Sequence, residues 1–396
     1  MRSSARRSLG AAALLLGALG GLGYLALRRP PRTPDEPALS VAETLRTGGP
    51  GADAGYSRAL APRPFSFPED HGSHPGFRTE WWYFTGNLAA AGGERYGYQL
   101  TLFRSALAPA DAARPSAWGT RQGWLGHLAL GDARRGTFRA FERWGRESLG
   151  LAGARAEPLR IWLRDWSAEG LGPGGFPLRL RAAANEDGGY GLDLRLDEGK
   201  APVLQGDRGL SRKSAEPGNA SYYYSLPRMP TRGELTLAGR RVAVSGLSWM
   251  DREWSTSSLG RGQVGWDWFA LQLDDGRELM LYRLRRADGS PDPASTGTLI
   301  ERDGRTRSLA AAEASIDVLD RWTSPDSGAR YPAAWRIRIP AAGLDLRVVP
   351  LLAGQELRLS FRYWEGAVRV TGTAEGARPL NGRGFVELTG YNPPGG

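Results

Sequence analysis

From about Phe65 onward, apolar and polar residues alternate in short runs that turn-forming residues separate. Alternation with a period of two is typical of β-strands, whose successive side chains point to opposite faces of a sheet. Almost no stretch beyond Phe65 has the 3.6-residue period of an amphipathic helix. Asp274-Asp275-Gly276 and Asp303-Gly304 are strong hairpin turns. The pattern predicts an all-β protein of antiparallel sheets or barrels.

The predicted strands form two groups of similar size. The first group is 80–90, 95–104, 123–131, 137–144, 158–166, 177–184, 190–197, 220–227, 232–238 and 240–247. The second group is 264–274, 277–286, 296–301, 314–321, 333–340, 343–350, 357–364, 367–375 and 383–390. Two such groups indicate a duplicated architecture that divides near residues 236–248. We therefore expect domains at 64–240 and 241–392.

The N-terminal residues follow a different pattern. Basic residues precede an apolar run from Leu9 to Leu27, and Arg28-Arg29-Pro30 ends it. This order is typical of an export signal, and the 19 residues of the run just reach the length of a membrane span. We expect residues 1–29 to be a signal peptide or membrane anchor and residues 30–63 to be a disordered linker. The rest of the chain would be periplasmic or secreted, either released or anchored to the inner membrane by residues 9–27.

Composition narrows the classes of function. The 396-residue chain contains no cysteine, which excludes disulfides, zinc–thiolate sites and a cysteine nucleophile. Its net charge is +10, but six arginines precede the first acidic residue and account for more than half of that charge. Beyond them, no basic block interleaved with aromatic residues indicates a nucleic-acid surface. We expect no nucleic-acid partner and no cofactor.

Two blocks of the sequence combine aromatic and ionisable residues. The first, Phe67 to Leu88, holds His71, His74 and the run Glu80-Trp81-Trp82-Tyr83-Phe84. The second is Trp249-Met250-Asp251-Arg252-Glu253-Trp254, followed by Gly265-Trp266-Asp267-Trp268-Phe269. In this order the blocks resemble the entry motif and the start of the second barrel in the carotenoid 1,2-hydratase and AttH-like family. The resemblance implies two tandem lipocalin-like antiparallel β-barrels, and it extends from about Pro64 to Tyr391.

The first block offers a candidate ligand site. In a strand, Glu80 shares a face with Trp82 and Phe84, while Trp81 and Tyr83 share the other. A carboxyl group on an aromatic face needs a cationic partner, for which Arg78 is a candidate, or has a raised pKa.

The acids and histidines of this block allow three interpretations. Asp70, His71, His74 and Glu80 include ligands that suit zinc or iron, although Gly72 and Pro75 oppose the helix that would align the histidines. The same residues suit proton transfer or substrate contact. They also suit a loop that seals the barrel mouth by hydrogen bonds to the backbone, and we expect no metal. His127, in a predicted strand, is expected to be a core or lumen residue.

The second block offers candidate acids. Asp267 heads an apolar stripe of alternate residues and lies between Trp266 and Trp268, as a protonated general acid requires. It would otherwise pair with an arginine such as Arg252 or Arg283. Asp251 and Glu253 share a strand face with Trp249 and suit acid–base chemistry or a contact with arginine from the other domain.

The resemblance implies a hydratase-like or hydrolase-like enzyme that acts on an isoprenoid or lipid. For a hydratase it implies acid-catalysed addition of water to an alkene. Asp267 would donate the proton, Asp251 or Glu253 would orient water, and Trp254, Trp266 and Trp268 would line the path of the cation. Trp82, Tyr83, His71, His74 and Glu80 complete the expected ligand site. We expect histidine at the position of Arg252 in hydratases, and this departure favours the alternative, a non-enzymatic lipid-binding or chaperone module beside an ABC-type exporter. The expected partners are a hydrophobic small molecule, the membrane through the N-terminal segment, and an ABC transporter permease.

Overall fold

A computed structural model describes residues 53–109, 116, 118–256 and 259–391, together with the backbone of one short upstream strand. The strands are β1 (Leu39–Ser40), β2 (Thr79–Ala89), β3 (Arg95–Ala106), β4 (Gln122–Asp132), β5 (Thr137–Arg146), β6 (Ala152–Arg155), β7 (Arg160–Leu163), β8 (Trp166–Gly170), β9 (Leu178–Ala184), β10 (Tyr190–Leu196), β11 (Val203–Leu204), β12 (Leu210–Arg212), β13 (Ala220–Leu237), β14 (Arg240–Ser255), β15 (Gln263–Leu273), β16 (Glu278–Arg286), β17 (Thr296–Ile300), β18 (Thr306–Ala310), β19 (Ser315–Thr323), β20 (Arg330–Ile339), β21 (Leu344–Pro350), β22 (Glu356–Arg358), β23 (Phe361–Ala374) and β24 (Arg378–Leu388). The helices in these ranges are 3-10 turns at Glu69–His71, Ser148–Gly150, Pro173–Gly175, Glu186–Gly188, Ala311–Glu313, Pro340–Ala342 and Glu375–Ala377. The all-β prediction is confirmed.

The first sheet has the strand order β5-β4-β3-β2-β14-β13-β10-β9-β8-β7-β6, and β11 and β12 also pair with β13. Neighbouring strands are antiparallel, and the sheet curls into a near-barrel. Its interior is filled by a large apolar cluster that includes Trp82, Trp124, Trp166 and Trp254. Apolar residues at alternate positions produce this interior, because one face of each strand turns inward.

The second sheet has the order β18-β17-β16-β15-β24-β23-β21-β20-β19, with β22 and β1 paired to β23. It forms a half-barrel around a core that includes Phe269, Trp335 and Trp364. The two curled sheets match the predicted pair of lipocalin-like units. The chain changes sheet between Ser255 and Gln263, later than the predicted boundary at 240/241. The reason is that β14 pairs along its length with β2, so the Trp249–Trp254 block ends the first sheet instead of starting the second.

The structure describes only some of the residues to which the N-terminal prediction applies. The apolar run Leu9–Leu27 and the residues to 52 lie outside the described residues. Within the part of the chain that is described, no helix is long and apolar enough to cross a membrane. Residues 53–63, expected to be linker, pack on the first sheet: Ala59 is 1% exposed, and the Ser57 amide donates to the Gly76 carbonyl at 2.8 Å.

A third apolar cluster joins the two sheets. It combines Tyr83 and Trp249 of the first sheet with Trp268, Ala367 and Phe385 of the second. The Asn87 side chain crosses this interface and donates to the Gly384 carbonyl at 2.7 Å. The closest approach is at Gly97, where an added Cβ atom would lie 2.6 Å from the Cβ of Ala367. Only glycine permits this contact between the backbones of β3 and β23.

Candidate functional site

The strands β23 and β24 bring two carboxyl groups to the interface between the sheets. Glu365 pairs directly with Glu387, and the next pair on the same face is Ala367 with Phe385. Glu365 is 1% exposed, whereas Glu387 is half-buried. Burial raises the pKa of Glu365, and the neighbouring Glu387 raises it further. Burial also raises the pKa of Glu387, with the charges of Asp251 and Glu253 adding to the effect.

Asp251 on β14 supplies a third acid to this interface. Its carboxyl group is buried and accepts hydrogen bonds from Tyr223, Ser225 and Trp249, the last at 2.7 Å. Burial raises the pKa of Asp251 from 3.8 to about 7, although these three hydrogen bonds oppose the rise. Asp251 therefore exists as a mixture of acid and carboxylate near neutral pH.

Aromatic rings form the walls around these acids. The ring of Tyr83 meets that of Trp268 edge-on at 5.2 Å, and Trp249 meets Trp268 in the same manner at 6.4 Å. The indole nitrogen of Trp268 donates to the Tyr223 hydroxyl at 3.2 Å, which links this wall to Asp251. The half-buried side chains of Trp81 and Trp266 pack against the outside of this cluster.

Two polar atoms in the cluster have unmet hydrogen-bonding capacity. The Tyr83 hydroxyl and Oε2 of Glu365 are buried, and neither makes a hydrogen bond of standard geometry with the described residues. The two side chains are nevertheless close enough for a hydrogen bond between them, which lowers the pKa of Glu365 against the effect of burial. Tyr83 is therefore the neighbour that steadies the Glu365 carboxyl group in this cluster.

Glu253, predicted to act with Asp251, is placed differently. It forms an ion pair with the half-buried Lys213 at 2.8 Å and accepts a hydrogen bond from Ser221. Burial lowers the pKa of Lys213, but Glu253 and Tyr282 outweigh this effect and raise it overall. The charge of Glu253 is therefore compensated by Lys213.

Asp267 is not the lone acid that the sequence indicated. Its Oδ1 accepts hydrogen bonds from Nε of Arg285 and from the hydroxyl of Tyr391, both at 2.9 Å. Arg285 is the diagonal neighbour of Asp267 across β15 and β16, whereas the predicted partner Arg283 lies directly opposite and bonds elsewhere. The predicted apolar stripe is present, because Phe269, the next residue on that face, belongs to the core of the second sheet.

The first sequence block forms a separate cluster at the mouth of the near-barrel. Glu80 is 0% exposed and forms ion pairs with Arg104 and Arg252. Burial acts to raise the pKa of Glu80, but the two guanidinium groups hold it far below its usual range. Arg78, the predicted partner, instead pairs with Asp53 at 3.1 Å.

The three histidines bond to protein groups. Nε2 of His74 lies 2.9 Å from Asp70 and its ring stacks on Trp254 at 3.8 Å, while Nδ1 of His71 lies 2.6 Å from the Tyr224 hydroxyl. Asp70 also accepts a hydrogen bond from the Ser66 amide, as the loop interpretation expected, whereas the ring of His71 bonds to a side chain and not to the backbone. His127 is fully buried beside Tyr363, at 2.7 Å from its hydroxyl.

The predicted ligand residues therefore divide between two places. Tyr83, Trp266 and Trp268 lie with the acid cluster, whereas Trp82 and Trp254 pack inside the near-barrel, where Arg252 lies 4.0 Å from the centre of the Trp82 ring. Sequence reasoning missed Glu365, Glu387 and Tyr223. The available signal was the alternation of Tyr363, Glu365 and Ala367, but the predicted strands 357–364 and 367–375 left Glu365 between them, whereas β23 is continuous from Phe361 to Ala374.

Comparison with known proteins identifies the family. A family model described as AttH-like matches residues 58–391. The crystal structure of a protein assigned as AttH from Nitrosomonas europaea is 35% identical, with a TM-score of 0.73 over 84% of this chain and 100% of that one. Kievitone hydratase from Nectria haematococca shares the fold at 15% identity, with a TM-score of 0.63 over 85% of this chain and 97% of that one. No curated protein matches significantly. The chain belongs to the AttH-like family.

Proposed function

We propose that the acid cluster between the sheets catalyses addition of water to an alkene in a hydrophobic isoprenoid or lipid. The observation that carries this proposal is Asp251, a buried acid whose pKa is raised to about 7 beside the rings of Trp249 and Trp268. A general acid works best when its pKa lies near the working pH. The acid assigned in the proposal is therefore Asp251, in place of Asp267.

In this reaction, protonated Asp251 transfers its proton to the less substituted alkene carbon. The π bond breaks, a C–H bond forms, and a tertiary cation remains at the other carbon. The faces of Tyr83, Trp249 and Trp268 favour that cation through their quadrupoles. Water then adds to the cation and releases one proton, which returns to Asp251, so that the balance is alkene plus water to tertiary alcohol.

The other groups of the cluster support this step. Tyr223 bridges Asp251 and Trp268, and it holds the carboxyl group in place. The close pair Glu365 and Glu387 retains a proton, because two neighbouring buried carboxylates cannot both ionise at low cost. A neutral carboxyl group at Glu387 both donates and accepts hydrogen bonds, which suits it to orient the attacking water.

The test uses the acyclic carotenoid lycopene as probe and water labelled with oxygen-18. We expect a product heavier than lycopene by one labelled water, formed by the purified protein and lost in Asp251→Asn. Asp193→Asn is the matched control, because Asp193 is an exposed acid on β10 paired with Arg179. Absence of labelled product from the unaltered protein, in the presence of bound lycopene, would refute the hydratase proposal.

A second candidate function is lipid binding or chaperoning without chemistry, beside an ABC-type exporter. Two observations favour it: Asp267 is held in an ion pair with Arg285, and Arg252 is held by Glu80 where a hydratase was expected to have histidine. Native mass spectrometry of protein extracted from membranes tests this candidate. If the protein binds lipid without chemistry, a lipid or carotenoid should co-purify with it. The fraction of protein that carries this ligand should be the same in Asp251→Asn, and neither protein should turn the ligand over.

Both proposals include export of the protein from the cytoplasm. The support for export is the pattern of basic and apolar residues at 2–27. A fusion of alkaline phosphatase after Pro64 should be active, because the enzyme needs an oxidising compartment. An inactive phosphatase fusion, together with an active cytoplasmic reporter at the same position, would contradict export.

A further inference from the structure

The interface between the sheets has a second polar end, away from the acid cluster. A cavity of about 300 Å³ opens there, and four arginines and one acid contribute to its lining: Arg95, Arg228, Arg369, Arg383 and Asp274. Arg95 comes from the first sheet on β3, whereas Arg369 and Arg383 come from the second on β23 and β24. Both sheets therefore contribute positive charge to one partly open cavity, in which Arg369 is exposed and Arg95 and Arg383 are half-buried.

The strand register accounts for this concentration of charge. On the shared face of β23 and β24, the pair Ala367 and Phe385 is followed by Arg369 opposite Arg383. Arg95 lies two residues from Gly97, which touches Ala367 across the interface. Like charges directly opposite each other destabilise a sheet. The pair Arg369 and Arg383 therefore lowers the folding stability when the cavity holds no anion.

The charges of three of these arginines are not compensated. Among the described residues, Arg95, Arg369 and Arg383 form no ion pair, whereas Arg228 is paired with Glu278. Nε of Arg95 is buried and has no hydrogen-bond partner in the same part of the chain. Burial lowers the pKa of Arg95, and the charges of Arg383 and Arg369 lower it further. An anion in the cavity would accept a hydrogen bond from Arg95 and would offset the repulsion among the three arginines.

We infer that this cavity binds a phosphate group, either free or as part of a phosphate ester. Arginine presents paired N–H donors whose geometry fits two phosphate oxygens, and several arginines together suit a dianion. The site is separate from the acid cluster, because Arg369 lies four positions beyond Glu365 along β23, a distance of about 13 Å. The tight contact of Gly97 with Ala367 fills the space between them.

The test measures thermal unfolding of the full chain in sodium phosphate and in sodium chloride at equal ionic strength. A ligand that binds only the folded state raises the melting temperature with concentration. We expect phosphate to do so, and Arg369→Gln or Arg383→Gln to weaken the phosphate affinity at least about tenfold, as loss of a charge-assisted hydrogen bond implies. In chloride, each variant should melt at or above the temperature of the unaltered protein, because a like-charge contact is removed. Loss of phosphate binding then cannot be attributed to misfolding.

The matched control is Arg305→Gln, an exposed arginine paired with Asp303, which should leave the phosphate shift unchanged. Equal shifts in phosphate and chloride, or a full phosphate shift in both Arg369→Gln and Arg383→Gln, would overturn the inference. Vesicles of phosphatidylcholine with and without phosphatidic acid identify the source of the phosphate. Binding that needs phosphatidic acid and Arg369 indicates a lipid headgroup, whereas binding of phosphate without binding of vesicles indicates a soluble compound.

Discussion

Glu365 and Glu387 lie directly opposite each other on β23 and β24, and both side chains point into the interface between the sheets. Two carboxylates so close together repel each other, and this repulsion adds to the effect of burial, which raises the pKa of both groups. Because Asp251 shares this environment, the molecule keeps acidic protons among aromatic rings near neutral pH.

The first prediction concerns the proton donor. Asp251→Asn keeps the shape of the side chain and removes the acid, so hydration of lycopene should slow at least about 10²-fold. In the unaltered protein the rate should fall as pH rises through about 7, since Asp251 then loses its proton. Rates measured from pH 5 to pH 9 give this profile. A rate in Asp251→Asn equal to that of the unaltered protein would remove Asp251 from the mechanism.

The second prediction separates Asp267 from the chemistry. Asp267→Asn leaves the guanidinium of Arg285 without its carboxylate partner in a buried site, which costs about 3–5 kcal/mol of folding stability. The melting temperature should therefore fall, whereas the rate per folded molecule should stay near that of the unaltered protein. Calorimetry and the lycopene assay on the same preparation measure both. A fall in rate as large as that of Asp251→Asn would restore Asp267 as the acid.

The third prediction concerns stability and pH. The pKa of Asp251 is higher in the folded protein than its ordinary value of 3.8, so folding takes up a proton between pH 4 and about pH 7. This contribution to stability is complete below pH 4 and is lost as pH rises through about 7, with a slope of about 1.4 kcal/mol per pH unit. Urea unfolding at a series of pH values should show a shallower decline for Asp251→Asn. If the unfolding free energy declined with pH equally steeply in the two proteins, Asp251 would be ionised over the whole range from pH 4 to about pH 7.

The fourth prediction concerns the mouth of the near-barrel. Glu80→Gln leaves Arg104 and Arg252 buried without a carboxylate, and the unfolding free energy should fall by about 3–5 kcal/mol. The pKa of Glu80 is depressed on folding, so its contribution is present above its ordinary value and is lost as pH falls. Glu234→Gln is the control, since Glu234 pairs with the exposed Arg241 and should cost less than about 1 kcal/mol. Equal losses in the two variants would contradict a structural role for the Glu80 cluster.

The fifth prediction concerns the contact between the sheets. Gly97→Ala places a methyl group against Ala367, and overpacking of this kind costs about 1–3 kcal/mol. Adding Ala367→Gly removes the opposing methyl group, so the double variant should recover part of that loss. The unfolding free energies of the two single variants and the double variant form a thermodynamic cycle. Strict additivity would show that the two positions do not touch.

Local pattern was sufficient to predict much of this fold. Alternation along 80–90 correctly placed Trp82 and Phe84 on one face of the strand and Tyr83 on the other, because this division depends only on the period of a strand. It did not indicate which of the two faces lies inside the near-barrel. It also placed Asp251 on the same face as Trp249. The family followed from the order of two sequence blocks.

The rest depended on contacts between distant residues. Arg104 and Arg252, the partners of Glu80, lie 24 and 172 positions away, so a search among sequence neighbours selected Arg78 instead. The pairing of Glu365 with Glu387 depends on the register of β23 and β24, and the predicted strands ended at 364 and resumed at 367, so Glu365 was assigned to neither. The end of the first sheet was misplaced because β14 continues through the block that was expected to open the second.

The alternation of side chains along β14 has an evolutionary consequence. Arg252 points into the near-barrel, while its neighbours Asp251 and Glu253 point to the other side. An insertion or deletion of a single codon within this segment would exchange those two sides, burying acids among the barrel tryptophans and presenting arginine to the acid cluster. Changes in chain length among related proteins should therefore be excluded from residues 249–254 and should accumulate in the connection at 256–262.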